Sequence, residues 1–481
     1  MISKELYQKL GFTVLLRQAA LLLPALIGAI AIGFGGLKGG SIFLALPILL
    51  FFLVYLGKHP SLGLYTALFL SFFISGFSRY LALPWGLGID LLLTMTWLIV
   101  FFKKFYDKEW KGLKNDINLW LLLWFVYVCL QVANPEARSL TAWFYAMRGV
   151  GFYQLLSISL GFLLLRKYKH VDYFLNLAIA LSVIGALWGL RQKVFGTDAA
   201  EDHWLWVEGH WDEHILFGVL RVFSFYSDAG QFGASQAMFA LLCGILFLNP
   251  KASVQSKIIY FGAGLLTFIG FAISGTRGAL AVPAIGGLSF LILSKNFKLL
   301  LSGVVIMGLT FYMLKYTHVL HGVESIRRMR TALSSDNPSL IARLRNQATL
   351  GRHLKTRPLG GGIGTAGFWG NRFSPNTLLA QTPTDSYYVK IWAETGIIGL
   401  LFHLSMLAYF TGKAGYIVWH LRNTNLRYKM MAIYAGFIGV VFCSYGNQVF
   451  SQMPTGMIMN MSIPLLFLAP LYEAQLEKND L

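Results

Sequence analysis

The residues with the clearest chemistry in this chain are arginines gathered in one long polar segment. Arg327, Arg328, Arg330, Arg343, Arg345, Arg352, Lys355, Arg357 and Arg372 all fall within residues 316–384, where Glu324 and Asp336 are the only acids. A guanidinium is a planar fork that grips phosphate through two parallel hydrogen bonds. Such a cluster points to an anionic, diphosphate-linked substrate. The segment continues into R-P-L-G-G-G-I-G (Arg357–Gly364). A glycine run of this kind, here including Gly362 and Gly364, lets backbone N–H groups converge on an anion. A further arginine, Arg221, opens R-V-F-S-F-Y-S-D-A-G-Q-F-G before an apolar run. An arginine at a helix end can also snorkel to lipid headgroups. Ser224, Ser227, Asp228 and Gln231 continue into the same run, and polar groups at membrane depth must face protein or water, which favours the binding role.

Two helices are predicted to carry the cluster, one near Val323–Leu333 and one that can start on Ser339 as N-cap after Pro338, the reverse offset fitting as well. In the second, Leu340, Ile341, Leu344, Ala348 and Gly351 follow helical spacing and are expected to rest on the rest of the protein. Arg343, Asn346, Leu350, His353 and Arg357 define another face, and Arg345 and Arg352 a third stripe. A basic amphipathic helix lying on a lipid surface has the same pattern. An earlier polar segment, residues 192–227, interleaves Asp198, Glu201, Asp202, Glu208, Asp212 and Glu213 with His203, His210, His214, Trp204, Trp206 and Trp211. A metal site would use the histidines and acids, but their spacing matches no standard ligand pattern. Sugar stacking on indole is a second reading. An interfacial aromatic belt with solvated acids is the simplest.

These segments hang between apolar runs. With 56% hydrophobic and 13% charged residues and a mean hydropathy of +0.59, the chain is excluded from the soluble globular class. Runs long enough to cross a ~30 Å hydrocarbon layer recur near 13–35, 41–57, 61–79, 86–102, 117–133, 144–165, 171–190, 228–248, 256–273, 278–294, 298–315, 385–411, 429–450 and 455–472. They make an all-α polytopic membrane protein of about twelve to fourteen transmembrane helices with one large helical loop, a single membrane domain over 1–481. Lys103, Lys104, Lys108, Lys111 and Lys114 share a connection, as do Arg166, Lys167 and Lys169; Lys251 and Lys257, Lys295 and Lys298, and Lys413, Arg422, Arg427 and Lys429 fall in alternate ones. Positive residues collect on the cytoplasmic side, so both termini are expected there and 192–227 and 316–384 outside. An arginine-rich external loop then needs a cause other than topology. The same anchors explain most of the net charge of +19, so nucleic acid is not an expected partner. Cys129, Cys243 and Cys443 lie in apolar runs without CxxC spacing, and no disulfide framework is implied. Met1–Lys9 is short and charged, and the run after it is expected to be retained rather than cleaved.

Residues 220–410 resemble the bacterial O-antigen ligase and polymerase family, integral-membrane glycosyltransferases. The likeness rests on Arg221 with F-S-F-Y-S-D-A-G; on Arg343, fifteen residues before Pro358 of R-P-L-G-G-G-I-G; and on T-D-S-Y-Y-V-K-I-W-A-E-T-G-I-I-G (Thr384–Gly399). The last is similar to the family's His-Asn-x-x-Leu…Glu-x-Gly-x-x-Gly. S-G-T-R-G-A at Ser274–Ala279 adds a looser match. The resemblance implies a GT-C-like fold in the bacterial inner membrane. It implies an undecaprenyl-diphosphate-linked glycan as donor, and a glycan or lipid A core as acceptor. No cofactor or metal is implied. Arg221 and Arg343 would take the two phosphates, with Arg277, Arg345, Arg352, Arg357, Gly362 and Gly364 around them. Asp385 stands at the family's His position and Ser386 at its Asn; a carboxylate can still accept a proton from an attacking hydroxyl. Asp385 has a second reading as N-cap of the following span. Glu394 and Gly396 read as packing or loop-orienting residues. The same donor site serves a ligase, favoured here, and a repeat-unit polymerase. A transporter of lipid-linked or anionic substrates is a third reading, which Gly- and Pro-broken spans with paired mid-membrane charges would favour.

Overall fold

The computed structural model describes residues 33, 47–81, 83, 85–105, 110–216, 218–318, 322, 324–331 and 338–479. Its elements are helices: α1 (Pro47–Lys58), α2 (Ser61–Tyr80), α3 (Trp85–Phe105), α4 (Asp116–Leu130), α5 (Leu140–Leu164), α6 (Lys169–Phe195), α7 (Ala229–Phe247), α8 (Val254–Ser274), α9 (Arg277–Leu293), α10 (Phe297–Tyr316), α11 (Glu324–Thr331), α12 (Pro338–Leu354), α13 (Tyr387–His420), α14 (Thr424–Cys443), α15 (Thr455–Phe467) and α16 (Ala469–Asn479). The sole strands among the described residues are two residues each, Ile215–Leu216 and Val219–Leu220, paired antiparallel. Contacts divide the chain after Leu62.

Ten described helices are long and apolar enough to cross a membrane, eleven if α15 and α16, bent by 52°, form one span. The chain is thus a multi-pass membrane protein. The span expected near 13–35 lies outside the described residues except for Gly33, and that near 41–57 is described from Pro47 onward as the short α1. The stretch expected near 278–294 forms α9, shorter than a full span.

The apolar surface shows why these helices are stable only in lipid. No residue of α10 is buried by protein. Leu301, Val305 and Ile306 stand exposed along it, as suits a helix facing acyl chains. At the other extreme, α7 is buried over most of its length between α8 and α14. Its small residues permit this: a Cβ on Gly233 would stand 2.3 Å from Ser274 Oγ, so only glycine allows α8 so close.

Two of the spans are interrupted. α5 contains a π-helical turn at Arg148–Phe152, where Arg148 Nη1 meets Asp90 Oδ2 of α3 at 2.7 Å. In α13, Gly396 leaves helical geometry at φ 68°, ψ −171°, and breaks the span in two.

Candidate functional site

Asp385 lies two residues before the start of α13. The helix begins at Tyr387 and its N-cap is Ser386, whose side chain accepts from Val389 N–H at 3.4 Å. Asp385 is therefore not the cap that its sequence position allowed, and its carboxylate is left for other contacts. The flanking backbone is fixed from the turn after α14: Tyr387 N–H donates to Ser444 O at 3.0 Å, and Gln448 Nε2 donates to the Thr384 carbonyl. The Asp385 side chain stays 47% exposed, so the carboxylate is held in place yet open.

Arg343 comes to it from α12. Its Nε stands 3.6 Å from Asp385 Oδ2, an ion pair longer than a hydrogen bond, and this buried nitrogen has no hydrogen-bond partner. The face of α12 turned to the protein is the one that carries Arg343. Asn346 Nδ2 donates to Pro383 O at 3.4 Å, and Leu350 and Leu354 pack in a core with Ala366, Leu379, Val389 and Ala393. The apolar stripe expected to rest on the protein is instead exposed, Leu340 and Ile341 at 40% and Leu344 at 53%. This corrects the sequence reading. Leu350 and Leu354 find a matching apolar surface at the start of α13, and once they are buried the Leu340–Leu344 stripe is rotated outward.

Arg221 and Arg277 complete the cluster. The Arg221 guanidinium donates to Glu213 O at 3.1 Å and to Thr276 Oγ1 at 3.4 Å, so it sits directly beside the α8–α9 junction. Burial lowers its pKa, and the charges acting on it come from Asp228, Arg328, Arg277 and Glu213. Arg277 in turn feels Arg343 and Arg328. A Cβ on Gly446 would lie 3.6 Å from Gly278 Cα and 4.0 Å from Arg343 Nη1, which places the α9 start and α12 on the same turn. Burial raises the Glu213 pKa, with Asp228 and Asp212 adding to it, Arg221 opposing and Asp385 adding last. Arg343 is thus paired with Asp385, and Arg221, Arg277 and Arg328 lie within electrostatic reach of one another beside Glu213 and Asp228.

The other expected phosphate ligands are placed elsewhere. Arg345 and Arg352 are exposed, two and nine positions from Arg343 and so on the opposite side of α12. Arg357 Nε is paired with Glu136 Oε1 at 3.1 Å, and its Nη1 donates to His353 O at 2.9 Å. Gly362 and Gly364 are buried, and the N–H groups of their loop already have acceptors. Gly361 N–H donates to Ala393 O and Gly362 N–H to Glu394 O, both at 2.9 Å. Gly364 N–H reaches Glu394 Oε1 at 3.1 Å and Ala366 N–H reaches it at 3.4 Å. The side chain on which the Gly364 and Ala366 amides converge is the protein's own Glu394. The loop fills the break in α13, where a Cβ on Gly396 would stand 2.0 Å from Pro358 O.

Arg79, at the end of α2, is a site-building residue that sequence reasoning passed over. Its guanidinium lies 4.2 Å from the Trp204 ring centroid and 4.5 Å from that of Phe223, and it donates to Ser224 O at 2.7 Å and to Tyr226 O. Ser224, in left-handed geometry at φ 53°, is also tied by its N–H to Gln192 Oε1 at 2.8 Å. Arg79 thereby pins the segment that follows Arg221. In sequence it was a lone arginine at a span end, without a signal separating it from a snorkelling one. Trp204 is occupied by Arg79 and stacks on His210 at 4.3 Å, while Trp206 and Trp211 remain exposed. Among the described residues no group of three or more His, Cys, Asp or Glu is arranged to hold a metal ion.

Comparison with known proteins gives two matches. Residues 262–404 match the family model described as O-antigen ligase. An O-antigen polymerase of Salmonella muenchen is 27% identical over 227 residues, 45% of this chain and 53% of that protein. The chain therefore spans about half the length of the curated relative it matches. The first match runs from α8 through Arg277 and Arg343 to the broken part of α13.

Proposed function

We infer that this chain, which over residues 262–404 belongs to the O-antigen ligase family, moves a glycan from undecaprenyl diphosphate to an acceptor hydroxyl at the outer face of the bacterial inner membrane. The observation that carries the reading is the half-exposed pair of Arg343 and Asp385, with Arg277 within electrostatic reach of Arg343 and Arg221 within reach of Arg277, three arginines from distant parts of the chain. Diphosphate bound there would take charge-assisted hydrogen bonds from Arg221 and Arg343, with Arg277 and Arg328 adding positive potential. Asp385 would accept the proton of the acceptor hydroxyl as its oxygen attacks the anomeric carbon. The new C–O bond forms while the bond to phosphate breaks, and undecaprenyl diphosphate leaves with the electron pair. A single displacement inverts that centre. Arg343 serves both ends, because it neighbours the base and faces the leaving group. Arg345 and Arg352, exposed on the other side of α12, fit contacts with lipid headgroups better than the diphosphate.

The lysine-rich connections support cytoplasmic termini and an external site. Cysteines introduced at 340–357 should then react with impermeant thiol reagents added to whole cells, and labelling only from the cytosol would defeat this placement. A lipid A core is the acceptor in the ligase form. The Salmonella muenchen relative favours a second reading, a polymerase joining repeat units. A transporter is weaker, since the break in α13 is filled by the glycine loop rather than opening on a cavity. Deleting the gene and separating surface glycans on a gel distinguishes all three. Loss of attached glycan with lipid-linked polymer accumulating marks the ligase, and single repeats still attached mark the polymerase. Unchanged linkage with substrate trapped in the cytoplasmic leaflet would overturn the enzymatic reading.

A further inference from the structure

The bundle has an apolar groove at the far end of α4 from Asp385. α3 and α4 both pack on α5 but barely touch each other, which leaves a cavity of about 570 Å3 between them. Its walls are Trp97 of α3, Leu119 and Leu122 of α4, and Leu155, Leu156 and Ser159 of α5. This volume falls within the roughly 300–1,000 Å3 of small-molecule sites. The cavity is apolar along its length and polar at one end, where Lys114, Asn115 and Asn118 close it.

The polar end is rigid. The Asn115 side chain caps α4 by accepting from Asn118 N–H at 2.9 Å, and Asn118 Oδ1 accepts from Ser159 Oγ at 2.8 Å. Trp97 Nε1 donates to Leu156 O at 3.1 Å, which fixes the indole as one wall. The polar groups of Asn115, Ser159 and Trp97 are thereby engaged within the protein, and the walls offer a ligand mainly apolar surface. Lys114 lines the polar end and is exposed, and Lys111, exposed as well, lies one tight turn before it. Leu119 and Leu122, at 57% and 50% exposure, form an apolar rim.

We propose that this groove holds an acyl chain of an anionic glycerophospholipid, with the headgroup phosphate against Lys111 and Lys114. Three features select that occupant. The long wall is apolar and faces bilayer, which suits a hydrocarbon tail. The charge at the mouth is positive and faces the headgroup layer, where each lysine attracts anionic lipid. Among the described residues nothing closes the opening between α3 and α4, which leaves a sideways route for a lipid. The bound chain would complete the packing that α3 and α4 lack, tying them together at the end opposite the arginine cluster. This inference does not rest on the glycan-transfer reading.

The intact chain is purified in mild detergent, and native mass spectrometry is run with phosphatidylglycerol and phosphatidylcholine of identical acyl composition. Phosphatidylglycerol should be retained in clear excess. Lys111→Glu with Lys114→Glu should bring it to the choline level, roughly fivefold per lysine removed. A phosphatidylglycerol carrying a photoreactive acyl chain should label residues 113–122 and 155–159, and Leu122→Trp, which narrows the groove, should suppress that labelling. Equal retention of the two lipids, or labelling spread evenly over the other lipid-facing helices, overturns the proposal. Detergent-solubilised variants that elute as the parent protein does serve as the folding control.

Discussion

Glu394 offers the sharpest test of how the site is held together. It is fully buried, and its Oε1 is the acceptor for Gly364 N–H at 3.1 Å and Ala366 N–H at 3.4 Å. Ala366 packs against Leu350 and Leu354, which lie seven and eleven residues after Arg343 on the same face of α12. Glu394 therefore sets the position of Arg343 through two layers of packing. Replacing it by Ala leaves two buried amides without an acceptor. Each costs about 1–3 kcal/mol, the longer contact at the lower end, so the loop should loosen by about 2–5 kcal/mol. Local opening then becomes at least roughly 30-fold more frequent. Hydrogen exchange followed by mass spectrometry should show faster exchange in 360–366 and in the second half of α12, together with loss of glycan transfer. Glu394→Gln keeps an acceptor oxygen and changes only Oε2, which has no partner, so it should restore most protection and most activity. Unchanged exchange in Glu394→Ala would refute this reasoning. Loss of transfer in Glu394→Ala with normal exchange would show that the residue acts in some other way.

Arg343→Ala should reduce transfer by about two orders of magnitude, the lower end of two charge-assisted hydrogen bonds, because the side chain is 33% exposed. Lys at this position should recover only part, since it lacks the fork, and full activity of either variant in a reconstituted assay would remove the diphosphate clamp. Asp385→Asn keeps the shape but not the basicity, and a loss of roughly 10²–10⁴ in rate is expected; kinetics equal to the parent's would rule out a base here. His214 is buried with its pKa lowered to about 4, mainly by burial, and Nδ1 donates to His210 O at 2.9 Å. The folded state therefore favours the neutral ring. The stability it contributes is present above about pH 6.5 and is lost as pH falls towards 4, up to about 3 kcal/mol. Tryptophan fluorescence of the first loop should follow this window, and a His214→Phe variant that kept the same pH profile would assign it to another group. Gly364→Ala forces a Cβ to 2.5 Å from Ala142 O at φ +86°, and should unfold the loop at lower temperature in a detergent melt. An unshifted melt would mean that α5 yields there.

Much of this molecule was legible one residue at a time. Long apolar runs without charge can be stable only as helices in lipid, because each helix satisfies its own backbone hydrogen bonds, so α2 to α8, α10, α13 and α14 stand close to where the sequence puts them. The arginine-rich segment and the short motifs around Arg221, Arg277, Arg343 and Asp385 were equally visible. The side on which each residue is used was not. The α12 sequence offers two faces, and helical periodicity cannot choose between them. That choice depends on Leu379, Val389 and Ala393, which lie well beyond α12 in the chain. The glycine run reads as an open anion nest until Glu394, thirty residues beyond Gly364, is seen to fill it. Arg79 carries no distinguishing signal in sequence, and its role emerges only when Trp204 and Phe223, more than a hundred residues on, close over it. Local pattern decides which segments are helical and which side chains carry charge. Which partner each charge meets is settled by packing between segments far apart in sequence, and only the assembled bundle contains that information.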